Sequence, residues 1–464
     1  MNKKGYFLAV FIMAFFFFYI HCNKAFCLEE KKPIKKYTFT LDQLIQKAIA
    51  HSPEIGESKM EILAAKSDFA QVKAAYLPRI DVTAVAGPVS DADEPVVKEV
   101  GHSGIYKIHD PYNGGIGIFG RLDFTVTQPL FTFGKLYNNK QAAFFGVKAQ
   151  EFEVLKKKLE IALRVKQLYY ALILSRQGVN VANDTDDFFN DTKQIIKKLL
   201  KMGSDNVTQS DIYKVEAYRA GTIRARAEAE KGEKVAYFAL KSMIGLSPDE
   251  EFDVIKKSLA IDKNKIKNLK YYIELAFSNR PDYKQLKEAL EAKQFEVKAA
   301  VSEEYPSFFA ALQGSIAGAP GREKFDNKYI QDDFNHAYAG IVFGMKWDFD
   351  FGIKKAKIDK KRAEYRKLVF TKQNADMGIP IQITELYNQL IEWQKAAESY
   401  HQAAIAARKW VVSAMSDFDM GTGTAANLLF GIEKYGDNQG KYLESLYNYH
   451  LTMAQLEAAI GKGE

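Results

Sequence analysis

The stretch GIVFGMKWDFDFG, residues 340–352, alternates along its whole length. Ile341, Phe343, Met345, Trp347, Phe349 and Phe351 fall on one side, and Val342, Gly344, Lys346, Asp348 and Asp350 on the other. Successive side chains of a strand point to opposite faces, so this reads as a strand with an apolar, aromatic face and a more polar one. GRLDFTVTQ, residues 120–128, repeats the pattern, with Leu122, Phe124 and Val126 set against Asp123, Thr125 and Thr127. Candidate partners are RIDVTAVAG from Arg79 and SFFAALQGSIAG from Ser307. Such segments are roughly the 9–11 residues that a membrane strand needs. An amphipathic hairpin packed on a helix in water would alternate in the same way. A membrane barrel needs about eight strands or more, so if these four strands enter a bilayer several chains must share one barrel.

Outward from these strands the chain repeats itself. SPEIGESKMEILAAKSDFAQVKAAYLPRI from Ser52 corresponds to RPDYKQLKEALEAKQFEVKAAVSEEYPSFF from Arg280, with Pro53 and Pro78 matching Pro281 and Pro306 at an offset of 228. LFTFGK ends in Gly134-Lys135 and DFDFGI in Gly352-Ile353, at an offset of 218. Gly203 and Gly421 keep that offset, and Gly245 matches Gly461 at 216. An ordered series of this kind marks a tandem duplication. The predicted organisation is a leader at 1–27, a first repeat at 28–246, an equatorial segment at 247–267 and a second repeat at 268–464. Strand pairs are expected at about 79–132 and 306–351.

Each repeat opens on a helical pattern that proline ends, since proline disfavours helix in the residue before it. In the first, Ile62, Ala65, Phe69, Val72 and Tyr76 form the apolar stripe. After each strand pair comes a long helical pattern, a short break, and a return helix. The spacing predicts helices over about 136–202 and 210–244, and again after Gly352 and over 425–460. Gly378-Ile379-Pro380 predicts a bend or break in the second descending helix. The tips near 203–209 and 421–427 carry Met202, Gly203, Ser204 and Asp205 in one copy and Met420, Gly421, Thr422, Gly423 and Thr424 in the other. Glycine suits such turns because it tolerates positive φ. The offset change from 218 to 216 places two extra residues in the first tip.

The first residues, MNKKGYFLAVFIMAFFFFYI, join a basic start to an apolar run, and Ala25-Phe26-Cys27 resembles a cleavage site, as in a secretory signal peptide. His21 and Phe26 stand where a lipidation signal wants a small residue. Both cysteines, Cys22 and Cys27, lie in the leader, so neither a disulfide scaffold nor a cysteine-ligated metal is expected after cleavage. Removing the leader's three lysines takes the net charge from +7 to +4, too mild to argue for nucleic acid. His102 and His109 sit in the glycine-, proline- and charge-rich tip of the first hairpin (83–119), where exposure rather than metal binding is the plain reading.

MGTGTAANLL, MGSDNVTQSDIY and the closing YHLTMAQLEAAIG resemble the tips and terminal helix of the TolC-like outer membrane efflux proteins, and the resemblance covers essentially all of the mature chain. It implies an α+β membrane protein: a homotrimer whose four strands per chain build a twelve-stranded outer-membrane β-barrel, continued by a long α-helical, coiled-coil periplasmic barrel. It implies a passive efflux channel with no cofactor. Its partners would be a periplasmic adaptor at the tips, an inner-membrane transporter of RND or ABC type, and outer-membrane lipid against Leu122, Phe124, Val126, Phe343, Met345, Trp347 and Phe349. Where the family carries aperture aspartates, this chain has Asn427 and Phe430. Phe430 there is either an apolar gate or a packing residue, and Asp211 is a candidate for restoring some acidity.

Two other classes compete. An enzyme would need a constellation that is missing: no HExxH, GxSxG or P-loop occurs, and GTGT lacks both the lysine and the preceding strand of a phosphate loop. A periplasmic coiled-coil scaffold would account for the helices but not for four alternating segments. Within the channel class, an ABC-type protein secretion system is the alternative to small-molecule efflux.

Overall fold

The computed structural model describes residues 35–92, 97–99, 102, 104, 106–108, 112–261, 266–322 and 332–462. The leader, with Cys22 and Cys27, and His109 lie outside these residues; His102 is exposed. In chain order the elements are β1 (Lys35–Phe39), α1 (Leu41–His51), α2 (Pro53–Ala74), β2 (Arg79–Ala92), β3 (Val97–Glu99), β4 (Tyr106–Ile108) and β5 (Tyr112–Phe131). Then come α3 (Lys135–Lys201), α4 (Gln209–Met243), β6 (Glu250–Val254), α5 (Leu269–Asn279) and α6 (Pro281–Ser302). The chain ends with β7 (Ser307–Gly318), β8 (His336–Lys346), α7 (Ile353–Asp419) and α8 (Ala425–Ala459).

Four strands form one antiparallel sheet in the order β2-β5-β7-β8. Residues directly opposite each other in such a ladder share a face. Val126 lies opposite both Ile80 and Leu312, and Leu312 opposite Ile341. The face with Ile80, Val82, Leu122, Leu312, Ile341 and Phe343 is apolar and exposed. Phe124 lies on the same face and covers Gly314 where a Cβ would stand. The opposite face carries Asp81, Thr83, Asp123, Thr125, Gln313 and Ser315. Among the described residues no helix is long and apolar enough to cross a membrane.

Two strand bounds differ from the sequence reading. β8 ends at Lys346, because β7 starts at Ser307, opposite Lys346, and offers nothing further to pair with; Trp347 and Phe349 follow the strand rather than belong to it. The first hairpin runs past its expected tip, with β2 reaching Ala92 and β5 starting at Tyr112. A bulge at Leu130 shifts the β5–β7 register between Pro129 and Phe131. Proline donates no ladder hydrogen bond, which favours an irregularity there. Gln128 steadies it by donating to the carbonyls of Tyr76 and Pro129.

The helical part shows the duplication in its dimensions. α3 and α7 each have 67 residues, and α4 and α8 each have 35. At 1.5 Å per residue the long helices reach about 100 Å. In α7 the buried residues Ile383, Leu390, Ala397, Ala404, Val411 and Phe418 recur every seven positions. That period keeps one seam facing a partner and makes a left-handed coiled coil. Of the expected bend or break, the break is absent: α7 is continuous through Pro380. One lost backbone hydrogen bond is outweighed by the packing of Ile379 and Ile383 on Tyr272, Ala276 and Tyr449.

The turns are duplicated too. Left-handed φ occurs at Phe133 and Phe351, Gly134 and Gly352, Gly203 and Gly421, and Gly245 and Gly461. So are the equatorial cores: Ala48, Val165, Leu172 and Leu240 in one match Ala276, Ile383, Leu390 and Leu456 in the other, all essentially buried. The first core has a lid, the parallel pair β1–β6, whose Phe39 and Phe252 pack onto it; among the described residues the second has no such pair. Leu390→Ala, at a position with no exposure, is expected to destabilise the fold by about 2–5 kcal/mol. Thermal unfolding in detergent checks this, and an unchanged midpoint would mean that the seam is not a core.

Candidate functional site

Both tips are built alike. Gly203 adopts φ 71° and Gly421 φ 78° just past the ends of α3 and α7. Ser204 N–H donates to the Leu199 carbonyl and Gly203 N–H to that of Leu200; Thr422 donates to Asp417 and Gly421 to Phe418. This is the Schellman pattern, which satisfies the last carbonyls of a helix and requires a left-handed residue best supplied by glycine. Gly423 has a different reason: a Cβ there would press on the backbone of Asp417 and Phe418. Thr208 and Thr424 cap the return helices. The first tip, 202–208, is two residues longer than the second, 420–424.

The tips touch each other. Asn206 Nδ2 donates to the Gly421 carbonyl at 2.6 Å, and Lys198 pairs with Asp419 at 3.5 Å. Beneath them one core joins both hairpins, with Phe189, Ile196, Leu199, Val207 and Val215 against Val411, Phe418, Leu428 and Ile432. Met202 and Met420 project from this base, 70% and 67% exposed. Asp205 and Thr422 are exposed, and Ser204 is half-buried.

The three candidate aperture residues do not play equivalent parts. Asp211 is buried at the third position of α4, where its carboxylate accepts from the Thr208 N–H at 2.9 Å and the Thr208 hydroxyl at 3.0 Å. Lys214 Nζ adds a third bond at 2.9 Å. Burial pushes the carboxyl up, but the Lys214 ammonium and the Thr208 donors outweigh it and hold Asp211 below the usual carboxylate range. Its charge is already matched, so Asp211 supports the tip and does not act as an open acid. Asn427 accepts from Trp410 Nε1 at 3.3 Å. Phe430 meets Trp410 edge to face at 5.6 Å, with Lys434 Nζ 5.0 Å from its ring centre, and stays 44% exposed.

On the polar face of the sheet, Ser315 Oγ donates to Asp123 Oδ1 at 2.6 Å and lies 2.7 Å from His336 Nε2. His336 Nδ1 faces the Asp332 carbonyl at 2.9 Å, and Arg121 pairs with Asp123 at 3.0 Å. The serine proton goes to a carboxylate rather than to the imidazole, the reverse of a base-activated nucleophile. Among the described residues no group of His, Cys, Asp and Glu is arranged to hold a metal ion. Leu122, Phe124, Val126, Phe343 and Met345 share the apolar face, on the other side of the sheet.

The architecture is thus an open-edged four-stranded sheet with one exposed apolar face, carried on long helical hairpins. Residues 44–228 match the family described as outer membrane efflux protein. The fold matches VceC of Vibrio cholerae, an outer membrane protein, with a TM-score of 0.73 at 18% identity over 91% of this chain and 96% of that one. It matches the MtrE outer membrane channel of Neisseria gonorrhoeae, solved in an open state, with a TM-score of 0.71 at 16% identity over 91% and 89%. It matches the CmeC outer membrane channel of Campylobacter jejuni with a TM-score of 0.66 at 15% identity over 91% and 86%. Among curated proteins no sequence match is found. The fold is that of these outer-membrane channels, and residues 44–228 are similar to the outer membrane efflux protein family.

Asn206 and Trp410 were missed in the sequence. No local pattern announces a side chain that bonds across to the other tip or one that braces Phe430. Asp211's role was readable, since Thr208-x-x-Asp211 is a capping box. A carboxylate held below its unfolded value contributes stability that is present above about pH 4 and lost as pH falls through the folded value. Amide exchange at the first tip, corrected for intrinsic rates, is therefore expected to rise as pH drops below about 4. Asp211→Ala should open the tip already at neutral pH, losing about 0.5–2 kcal/mol as cap removals do. Unchanged protection in the variant would contradict the role.

Proposed function

We propose that the chain is the outer-membrane channel subunit of a tripartite efflux system, assembled as a homotrimer. Three four-stranded sheets would make a twelve-stranded barrel, and the hairpins would continue it as a tube through the periplasm. The observation that carries this reading is the sheet itself: four strands, an apolar exposed face and two unpaired edges. A lipid-exposed sheet edge is costly, so barrels in membranes are closed. Leu122, Phe124, Val126, Phe343 and Met345 would face lipid, with Trp347 and Phe349 at the lower rim, while Asp81, Asp123, Thr125 and Ser315 would face water.

The tips, with Met202, Gly203, Ser204 and Asp205 beside Met420, Gly421, Thr422, Gly423 and Thr424, would receive a periplasmic adaptor fed by an inner-membrane transporter of RND or ABC type. Conduction would be passive. The exposed edge of Phe430, braced by Trp410, would narrow the aperture and gate it by dewetting.

Gly421→Glu or Gly203→Glu is expected to abolish export in cells while leaving oligomer assembly in the outer membrane intact, because a side chain at positive φ distorts the tip alone. Normal export would remove the tips from the docking role. Phe430→Ala is expected to raise single-channel conductance in planar bilayers. Unchanged conductance would assign Phe430 to helix packing only.

A further inference from the structure

The duplication supplies a template for an interface that one chain cannot make. Where the first repeat meets the second, β5 pairs with β7: Phe131 opposite Phe308, Val126 opposite Leu312, Phe124 opposite Gly314. β8 is the copy of β5, and β2 the copy of β7. β2 follows β7 at the offset of 228 that relates Pro78 to Pro306. β8 follows β5 at 218 below the Leu130 bulge and at 219 above it, because the second repeat lacks the bulged residue. Val126 then maps to Met345, Phe124 to Phe343 and Phe131 to Phe349. Both mappings keep the apolar residues on the apolar face, as the two-residue period of a strand requires.

Transferring the β5–β7 ladder gives one continuous register for β8 against a second copy: Phe349 opposite Ile80 of the partner subunit, Met345 opposite Ala84 of the partner subunit, and Phe343 opposite Ala86 of the partner subunit. At Met345 and Phe343 a large side chain meets a small one, as Phe124 meets Gly314 within the chain. The same register sets Asp350 opposite Arg79 of the partner subunit and Asp348 opposite Asp81 of the partner subunit, so charge does not by itself select the register. It also gives residues 347–350, which follow β8 with no ladder partner in their own chain, a strand to pair with.

Phe133 and Phe351 add a second, independent sign. Both hold left-handed φ, 49° and 51°, which is rare for a bulky residue. The Phe133 ring stacks on Tyr305 at 5.1 Å and meets Phe308 at 6.4 Å. Phe351 is 103% exposed, and among the described residues no ring stacks on it. The positions matching Tyr305 and Phe308 are Leu77 and Ile80, 64% and 67% exposed.

We propose that β8 pairs antiparallel with β2 of a second copy, Met345 facing Ala84 of the partner subunit, and that Phe351 seats on Leu77 and Ile80 of the partner subunit to lock each seam. The proposal rests on the homo-oligomeric reading above and adds the register and the locking residue. Opposed Cα atoms in an antiparallel ladder lie about 4.5–5.5 Å apart, within disulfide reach, whereas residues displaced by two lie about 7–8 Å apart.

The test is oxidation of outer membranes carrying Met345→Cys with Ala84→Cys, beside Met345→Cys with Val82→Cys, Met345→Cys with Ala86→Cys, and Met345→Cys alone. Covalent oligomers on a non-reducing gel are expected for the first pair only. Cross-linking favoured in a displaced pair overturns the register. No cross-link in any variant that still purifies as an oligomer overturns the seam. Variants and parent that all purify as monomers overturn the assembly itself. Phe351→Ala is expected to lower the temperature at which the oligomer dissociates in detergent, and Phe351→Leu to restore most of it. Unchanged dissociation in Phe351→Ala overturns the lock.

Discussion

A sheet placed in lipid cannot leave an edge unpaired, because no water is there to hydrogen-bond its free N–H and C=O groups. The sheet β2-β5-β7-β8 has such edges at β2 and β8 and presents an apolar face. On the function proposed above, closure would come from other copies of the chain. From this constraint follow the need for an oligomer, the alternation that keeps one face dry and one wet, and the position of the helices. Each long helix starts directly below a strand, through a left-handed Phe-Gly pair, at Phe133-Gly134 and Phe351-Gly352. Strand and helix are thus coupled by a turn of fixed geometry, and a barrel closed above imposes a ring of hairpins below.

The helices carry their own version of the same economy. A seven-residue period along α7 buries Ile383, Leu390, Ala397, Ala404, Val411 and Phe418 along one seam. The two equatorial cores, built from matched residues, hold the hairpins at mid-length, and a third core ties them together at the tips. Asn206 bonds across to Gly421, Asp211 is spent on capping, and Trp410 braces Phe430. If the tips form the aperture proposed above, an aromatic edge rather than free carboxylates would line it.

Much of this was legible in the sequence because duplication converts weak signals into repeated ones. A single alternating strand such as 340–352 is ambiguous; its copy at 120–128 makes it a pattern. Gly203 and Gly421 mark the tips because each must take positive φ, and the two-residue difference between tips could be counted from the offsets. What was hidden had physical reasons. β1 and β6 are short, parallel and rich in charge, so neither periodicity nor apolar content marks them. Pro380 reads as a break, yet tertiary packing of Ile379 and Ile383 keeps α7 continuous. The end of β8 at Lys346 depends on where β7 begins, a fact of pairing and not of β8's own residues. The partners of Phe430 and Asn206 lie on other elements and could be found only in three dimensions.

The central claim is that this chain builds a pore only by sharing one barrel among copies. Native mass spectrometry of the protein extracted from outer membranes in mild detergent tests it most directly. The account predicts a single dominant species containing three copies of the processed chain. A species containing one copy, or a chain recovered without detergent as a monomer, would contradict it.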